Sequence, residues 1–471
     1  MLKFFKHFAI YGLSSILSKV AAVFLMPLYT NTLTQKEYGV MALVIACKGI
    51  IDLISNLNIH TGISRDYYEE GVDRKSLIST GFWSILFFSF VIFAGIYSSR
   101  NFWINRVLEI EGYETVFLFM ALSIPSGSLL SYFSILARFR NQPVKYAFGS
   151  VMQVLVQIGL SVYCVLILHT GVVGIFIAVF IAETFGILYF GILNLTELDF
   201  KFDKAALKRA LQFSLPTLPA ILAGWADNSL GQLMVGKFVS IEKLGVYSIA
   251  VQLVSVFTLI SVALNNVWYP YAYEHYKKYD FQTQSIRLFE VVAYILLFIT
   301  LNLGFLSKDI IVLLSNPSYL DAAQYLTLLC FSSALYLLLP FVSISVNITR
   351  ETQYISYAYG LGSIINVTLL FLFLSRIGVM AIPIFLGVSR VVTFAILETY
   401  SKRKTNIKYP VGPLYALLGA SLLCFCFVRI NVETWSNYLT LFFLDILFVY
   451  FLVKKFKTLD FLSSKFRLNM K

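Results

Sequence analysis

The sequence predicts an all-α integral membrane protein of about fourteen transmembrane helices, arranged as two parallel six-helix lobes with two further helices at the C-terminus. Three observations predict it. Apolar stretches recur along the whole chain, each close to the roughly 20 residues that a helix needs to cross about 30 Å of hydrocarbon. Of the 471 residues, 58% are hydrophobic and only 13% are charged, against about 25% charged in an ordinary soluble domain. The basic residues gather in alternate loops, as membrane topology demands.

The first stretch, 8–30, follows Lys3 and Lys6 and carries no small-residue cleavage site, so it is expected to be a retained span and not a removed signal peptide. The next eight are expected at 39–59, 78–98, 115–136, 146–168, 172–193, 211–235, 245–268 and 288–307. The last five are expected at 322–345, 354–375, 378–399, 411–430 and 437–455. These runs are too long and too continuously apolar for barrel strands, and a helix satisfies its own backbone in lipid. The connections are short, so no sizeable extramembrane domain is expected, and any site must lie inside the bundle or at its mouths.

With the N-terminus inside, the inner segments hold 26 of the 37 lysines and arginines, and the outer loops hold eight. Lys19, Lys48 and Arg390 lie within spans. This imbalance places both termini in the cytoplasm and fits an even number of spans. It also accounts for the net charge of +12 without a nucleic-acid partner, and none is expected. Cys47, Cys164, Cys330, Cys424 and Cys426 all fall in apolar stretches, without metal-ligand spacing, and read as small hydrophobes. His7, His60, His169 and His275 lie near span ends and show no ligand-like spacing, so no metal site is expected.

The second half echoes the first. Leu33-Thr34-Gln35-Lys36-Glu37-Tyr38-Gly39-Val40 follows the first span, and Val239-Ser240-Ile241-Glu242-Lys243-Leu244-Gly245-Val246 follows the seventh. Tyr146-Ala147-Phe148-Gly149 and Tyr357-Ala358-Tyr359-Gly360 open the fifth and eleventh spans, and Gly171-Val172 and Gly378-Val379 stand in the loops after them. The offsets are 206, 211 and 207 positions. Six spans per copy start both copies on the same side, so the repeats are parallel, about an axis along the membrane normal. Two facing bundles of this kind place a substrate between them for alternating access. The expected units are residues 1–200, 201–405 and an appended 406–471.

Further strings carry a resemblance. They are Phe213-Ser214-Leu215-Pro216-Thr217-Leu218-Pro219, Leu244-Gly245-Val246-Tyr247-Ser248, Trp268-Tyr269-Pro270-Tyr271 and Ser318-Tyr319-Leu320-Asp321-Ala322-Ala323, together with the 33–39 string. In their order and spacing the chain resembles, over its whole length, the Wzx-type polysaccharide flippases. These are lipid-linked oligosaccharide exporters of the MOP superfamily, to which the MATE drug exporters also belong. The resemblance implies a MOP/MATE-like fold with a V-shaped cavity, a cytoplasmic (inner) membrane location and no enzymatic activity. It implies that an undecaprenyl-pyrophosphate-linked repeat unit, as in O-antigen synthesis, crosses the membrane. Membrane lipids and polysaccharide assembly proteins would be the partners.

Charge inside a span is costly unless paired or hydrated, so each such residue is a candidate. Ser15 and Lys19 share a face of the first span and read as cavity lining, with Lys19 facing a pyrophosphate as a point charge. A carboxylate on another span is the structural alternative for Lys19. Lys48 is a further candidate, but Asp52 lies four residues on and can neutralise it within the helix. Arg390, halfway down its span, Arg65 at the inner mouth and Gln153 complete the expected substrate contacts. Asp227 and Asn228 follow Pro216 and Pro219, which free the carbonyls of Gln212 and Leu215. A carboxylate, an amide and free carbonyls suit Na⁺ or H⁺ as the coupling ion. The resemblance implies a cation between spans 7 and 11, where Asn366 would add an oxygen, although Leu370 stands where a second acid would follow. The structural alternative for Asp227 is a buried pair with Lys19 or Arg390. Glu183, Glu290 and Asp445 are further acids of the spans.

These residues discriminate among three function classes. A flippase for a lipid-linked oligosaccharide accounts for basic residues deep in the bundle. A MATE-like exporter of small organic cations would instead need a lumen rich in acids. A membrane-bound glycosyl-transferring enzyme needs catalytic groups on a sizeable outer loop, and the longest, roughly 99–114, offers only Glu109 and Glu111.

Overall fold

The computed structural model describes residues 23–67, 71–140, 142–351, 353–430, 438, 440–446 and 448. Within them, 10 helical stretches are long and apolar enough to cross a membrane, and one of these, Gln353–Lys404, holds two predicted spans in succession. Most of the first span, with Ser15 and Lys19, and most of the last lie outside the described residues.

The helices begin where capping chemistry starts them. Helix α1 (Gln35–Asn56) is capped by Thr34, whose hydroxyl accepts from the Glu37 amide while Glu37 reaches back to the Thr34 amide. It ends where Leu57 and Asn58 adopt positive φ angles of 45° and 51°, a strained joint for two residues with side chains. The short α2 (Ile59–Asp66) follows. Asp73 caps α3 (Arg74–Ser98). Next come α4 (Glu114–Phe139), α5 (Pro143–Val162) and α6 (Gly171–Asn194). α4 packs on α1, α3 and α6, and α5 packs on α6, which makes these helices one bundle.

The predicted span 211–235 is not a regular helix. α7 (Lys204–Ser214) gives way to a 3₁₀ turn at Leu215–Thr217, then α8 (Leu218–Trp225), a π-helical turn at Ala226–Leu230, and α9 (Gly231–Phe238). Pro216 and Pro219 each sit near the start of a segment, the position that tolerates a missing amide hydrogen.

The second bundle comprises α10 (Ile241–Val254), α11 (Val256–His275), α12 (Phe281–Phe305), the short α13 (Ser307–Leu314), α14 (Ala322–Thr349), α15 (Gln353–Ile377), α16 (Ala381–Lys404) and α17 (Gly412–Ile430). α14 is its central column and touches α10, α11, α12, α16 and α17. α17, from the appended segment, docks on α12, where Cys424 lies against Gly304.

The two bundles meet along α1 and α10. Their crossing is built from the repeated strings. A Cβ on Gly39 would collide with the Ile241 carbonyl, and a Cβ on Gly245 would collide with the Gln35 carbonyl. Gln35 and Ile241 stand 206 positions apart, as Gly39 and Gly245 do, so the contact is reciprocal: each glycine meets the carbonyl four residues before the other. Nearby, Gln35 Nε2 donates to the Ser318 carbonyl at 2.6 Å, and Asn316 Nδ2 to Asn31 Oδ1 at 3.2 Å. The Tyr38 and Tyr319 rings meet edge to face, 5.8 Å apart.

Candidate functional site

α1 presents two opposite charges one turn apart. Lys48 Nζ lies 2.8 Å from Asp52 Oδ2, as the four-residue spacing on one helix face predicts. α6 adds Glu183, whose Oε1 is 3.4 Å from the same ammonium. The other carboxylate oxygen accepts from Ser126 Oγ of α4 at 2.6 Å. Three helices thus converge on one group of two carboxylates and one ammonium, with a net charge of −1. Asp52 Oδ1 is buried and has no hydrogen-bond partner.

This triad lies on the wall of a cavity of about 660 Å³. Amides from Gln153, Gln157 and Gln252 and hydroxyls from Ser131, Ser134 and Ser150 line the same space. All but Gln252, which comes from α10, belong to the first bundle. In an apolar scaffold such a concentration of donors and acceptors needs a polar occupant or water to satisfy it.

A second polar cluster joins α15 and α16 of the other bundle to the broken helix that precedes α10. Arg390 of α16 and Asp227 of the π-helical turn form a pair with Nη1–Oδ2 at 3.5 Å, their side chains 5% and 3% exposed. Asn366 Nδ2 of α15 donates to Asp227 Oδ1 at 3.3 Å. The guanidinium also lies 4.7 Å from the centre of the Tyr336 ring, a cation–π contact. π-helical turns widen a helix locally and recur at functional positions. Here the turn carries Asp227 to face α15 and α16.

The structure therefore brings together Asp227, Asn366 and Arg390, and separately Lys48 and Gln153 with the cavity. Asn228 is exposed and turns its amide back to the Gly224 carbonyl at 2.7 Å, away from this cluster. Arg65 is exposed on α2, with its guanidinium over the Phe213 ring at 5.0 Å. Sequence reasoning did not join Glu183 to Lys48. The available signal was a lone acid in a helix of otherwise apolar and small residues, which demands a partner from elsewhere. Asp445, another such acid, accepts from Asn302 Nδ2 at 3.1 Å.

Comparison with known proteins adds the following. Residues 31–324 match a family model described as polysaccharide biosynthesis protein. A protein of the Lsg locus of Haemophilus influenzae is 22% identical over 413 residues, which span 80% of this chain and 99% of that protein. The structure of the lipid II flippase MurJ in an inward closed conformation superposes with a TM-score of 0.76 at 13% identity, over 96% of this chain and 99% of that one. An inward-facing multidrug resistance MATE family transporter of the MOP superfamily gives 0.63 at 14% identity, over 85% and 95% of the two chains. At such identities these likenesses establish a shared fold.

Proposed function

The chain belongs to the family of polysaccharide biosynthesis proteins, and from that premise we propose that it is a flippase which moves a lipid-linked oligosaccharide across the inner membrane by alternating access. One observation carries the reading: a polar cavity of about 660 Å³ inside a membrane-spanning bundle, walled by amides, hydroxyls and a half-buried ion triad. Amides and hydroxyls match the hydroxyl groups of a sugar, which both donate and accept. The prenyl tail stays in lipid while the head group crosses. Lys19, outside the described residues, is the proposed contact to the pyrophosphate.

The α1–α10 crossing lies at the end that the basic-residue bias assigns to the outside, so its close packing supports an outward-sealed state. Rocking of the two bundles would part that crossing and expose the cavity to the other side. Coupling to Na⁺ or H⁺ is part of the proposal. The triad, with one more carboxylate than ammonium, has the composition that an exchangeable cation or proton requires.

The test is transfer itself. Proteoliposomes that hold the protein and a fluorescent undecaprenyl-pyrophosphate oligosaccharide are expected to make the head group accessible to an external lectin. Empty liposomes should leave it at the slow spontaneous rate. Equal rates would end the flippase reading. The net negative cavity also suits a second reading, a MATE-like exporter of small organic cations. Deletion of the gene separates the two. Loss of surface glycan with accumulation of its lipid-linked precursor supports the flippase, and altered drug resistance with intact glycan supports the exporter.

A further inference from the structure

The two clusters, one half-buried on the cavity wall and one fully buried, differ in their charge balance. The cavity triad has two carboxylates for one ammonium. The second cluster has one carboxylate, Asp227, for one guanidinium, Arg390. Arg390 is 4% exposed and Asp227 5% exposed, and Asn366, which binds the carboxylate, is fully buried. From this balance we infer that Arg390 is a resident counter-cation, which occupies an oxygen-lined site and thereby closes the second bundle to soluble cations.

The oxygen lining is the second observation. Asn366 spends its amide hydrogen on Asp227, and its Oδ1 is buried with no partner. Buried polar atoms without partners are uncommon, and each calls for an explanation. A carboxylate and an amide oxygen are ligand types of a hard cation. The guanidinium supplies the positive charge from α16, but its 3.5 Å approach is longer than a close charge-assisted hydrogen bond. A tethered cation of this kind cannot leave with the ion gradient. It holds the π-helical turn, α15 and α16 together by charge without an ion from solution.

Thermal melting of the purified full-length protein tests this, with sodium chloride compared with choline chloride at equal ionic strength. It needs no substrate, so the outcome is independent of the flippase reading. The wild-type protein and its Asp227→Asn variant are expected to show the same difference between the two salts, so that sodium held elsewhere, as at the cavity triad, cancels in the comparison. Arg390→Ala, which leaves Asp227 without its counter-charge, is expected to melt roughly 2 °C or more higher in sodium, by mass action of a ligand on the folded state. Arg390→Ala with Asp227→Asn removes both charges and should lose the sodium effect. Arg390→Lys keeps the charge and should respond to sodium as the wild type does. Where Arg390→Ala is too unstable to melt, recovery of folded protein from sodium-extracted but not choline-extracted membranes reads the same effect. The inference is overturned by sodium stabilisation of the wild type that Asp227→Asn removes. It is equally overturned when Arg390→Ala melts, or is recovered, alike in both salts.

Discussion

Lys48→Met is expected to abolish glycan export and to destabilise the protein by about 3–5 kcal/mol, the range found when one member of a buried ion pair is removed. Among the described residues, Lys48 is the one cation that touches both Asp52, at 2.8 Å, and Glu183, at 3.4 Å. Without it, two carboxylates face each other across α1 and α6 on the cavity wall, and like charges at such range repel strongly where water is scarce. The side chains of Lys48, Asp52 and Glu183 are 15%, 30% and 11% exposed, so cavity water offsets part of the loss and the lower end of that range is expected. Glu183→Gln in the same chain restores the original net charge and should recover most of the stability. Export is the more exacting readout. The double variant keeps the charge of −1 but lacks the ammonium, so a cavity that needs Lys48 itself will stay inactive. Melting temperature and lectin accessibility, measured on both variants, separate the two effects. Normal export by Lys48→Met would remove the triad from the transport path.

The class of this fold was legible because its signal is redundant. Each helix from α3 to α6 repeats the same run of apolar residues, and an error at one boundary leaves the others standing. Local chemistry was legible for the same reason: Lys48 and Asp52 are four residues apart, and a helix brings them to one face whatever surrounds it. Glu183 meets Lys48 only through the packing of α6 and α4 on α1, and no periodicity in the sequence encodes that distance. The pairing of Asp227 stood open between Lys19 and Arg390 for a like reason, since a span shows depth but not rotation. Hydropathy also hid the break near Pro216. The residues there are apolar, so 211–235 read as one span, whereas proline geometry divides the path into short segments. Asn366 was placed beside Asp227 from the resemblance, and the two side chains do meet, at 3.3 Å. Asn228, its neighbour in sequence, points elsewhere because successive residues on a helix are about 100° apart.

Valine at Gly245 is expected to hold the outer crossing open and to reduce export at least tenfold, and Gly39→Val should do the same. At both positions the new Cβ would meet a backbone carbonyl of the facing helix, Gln35 or Ile241. A flexible side chain could turn aside, but a helical carbonyl cannot move without its helix, so α1 and α10 must separate. Small residues at such crossings let helix backbones approach closely, and that approach is what packs helices in lipid, where apolar burial supplies no drive. Separation would also stretch the contacts that flank the crossing, among them Gln35 to Ser318 and Tyr38 to Gln252. Gln252 is a useful reporter because it lines the cavity and accepts from Tyr38 at 2.8 Å. With Gln252→Cys as background, a membrane-impermeant thiol reagent added outside should label slowly when the crossing is closed and at least tenfold faster with Gly245→Val. Gly245→Ala, with a smaller side chain, should fall between them. The equivalence of the two glycines makes the argument sharper. Because each meets the carbonyl four residues before the other, the substitutions should give matching export and labelling defects. A large defect at one position with none at the other would show that the contact does not work as a symmetric seal. Unchanged labelling from both would show that the outer end does not close through these helices.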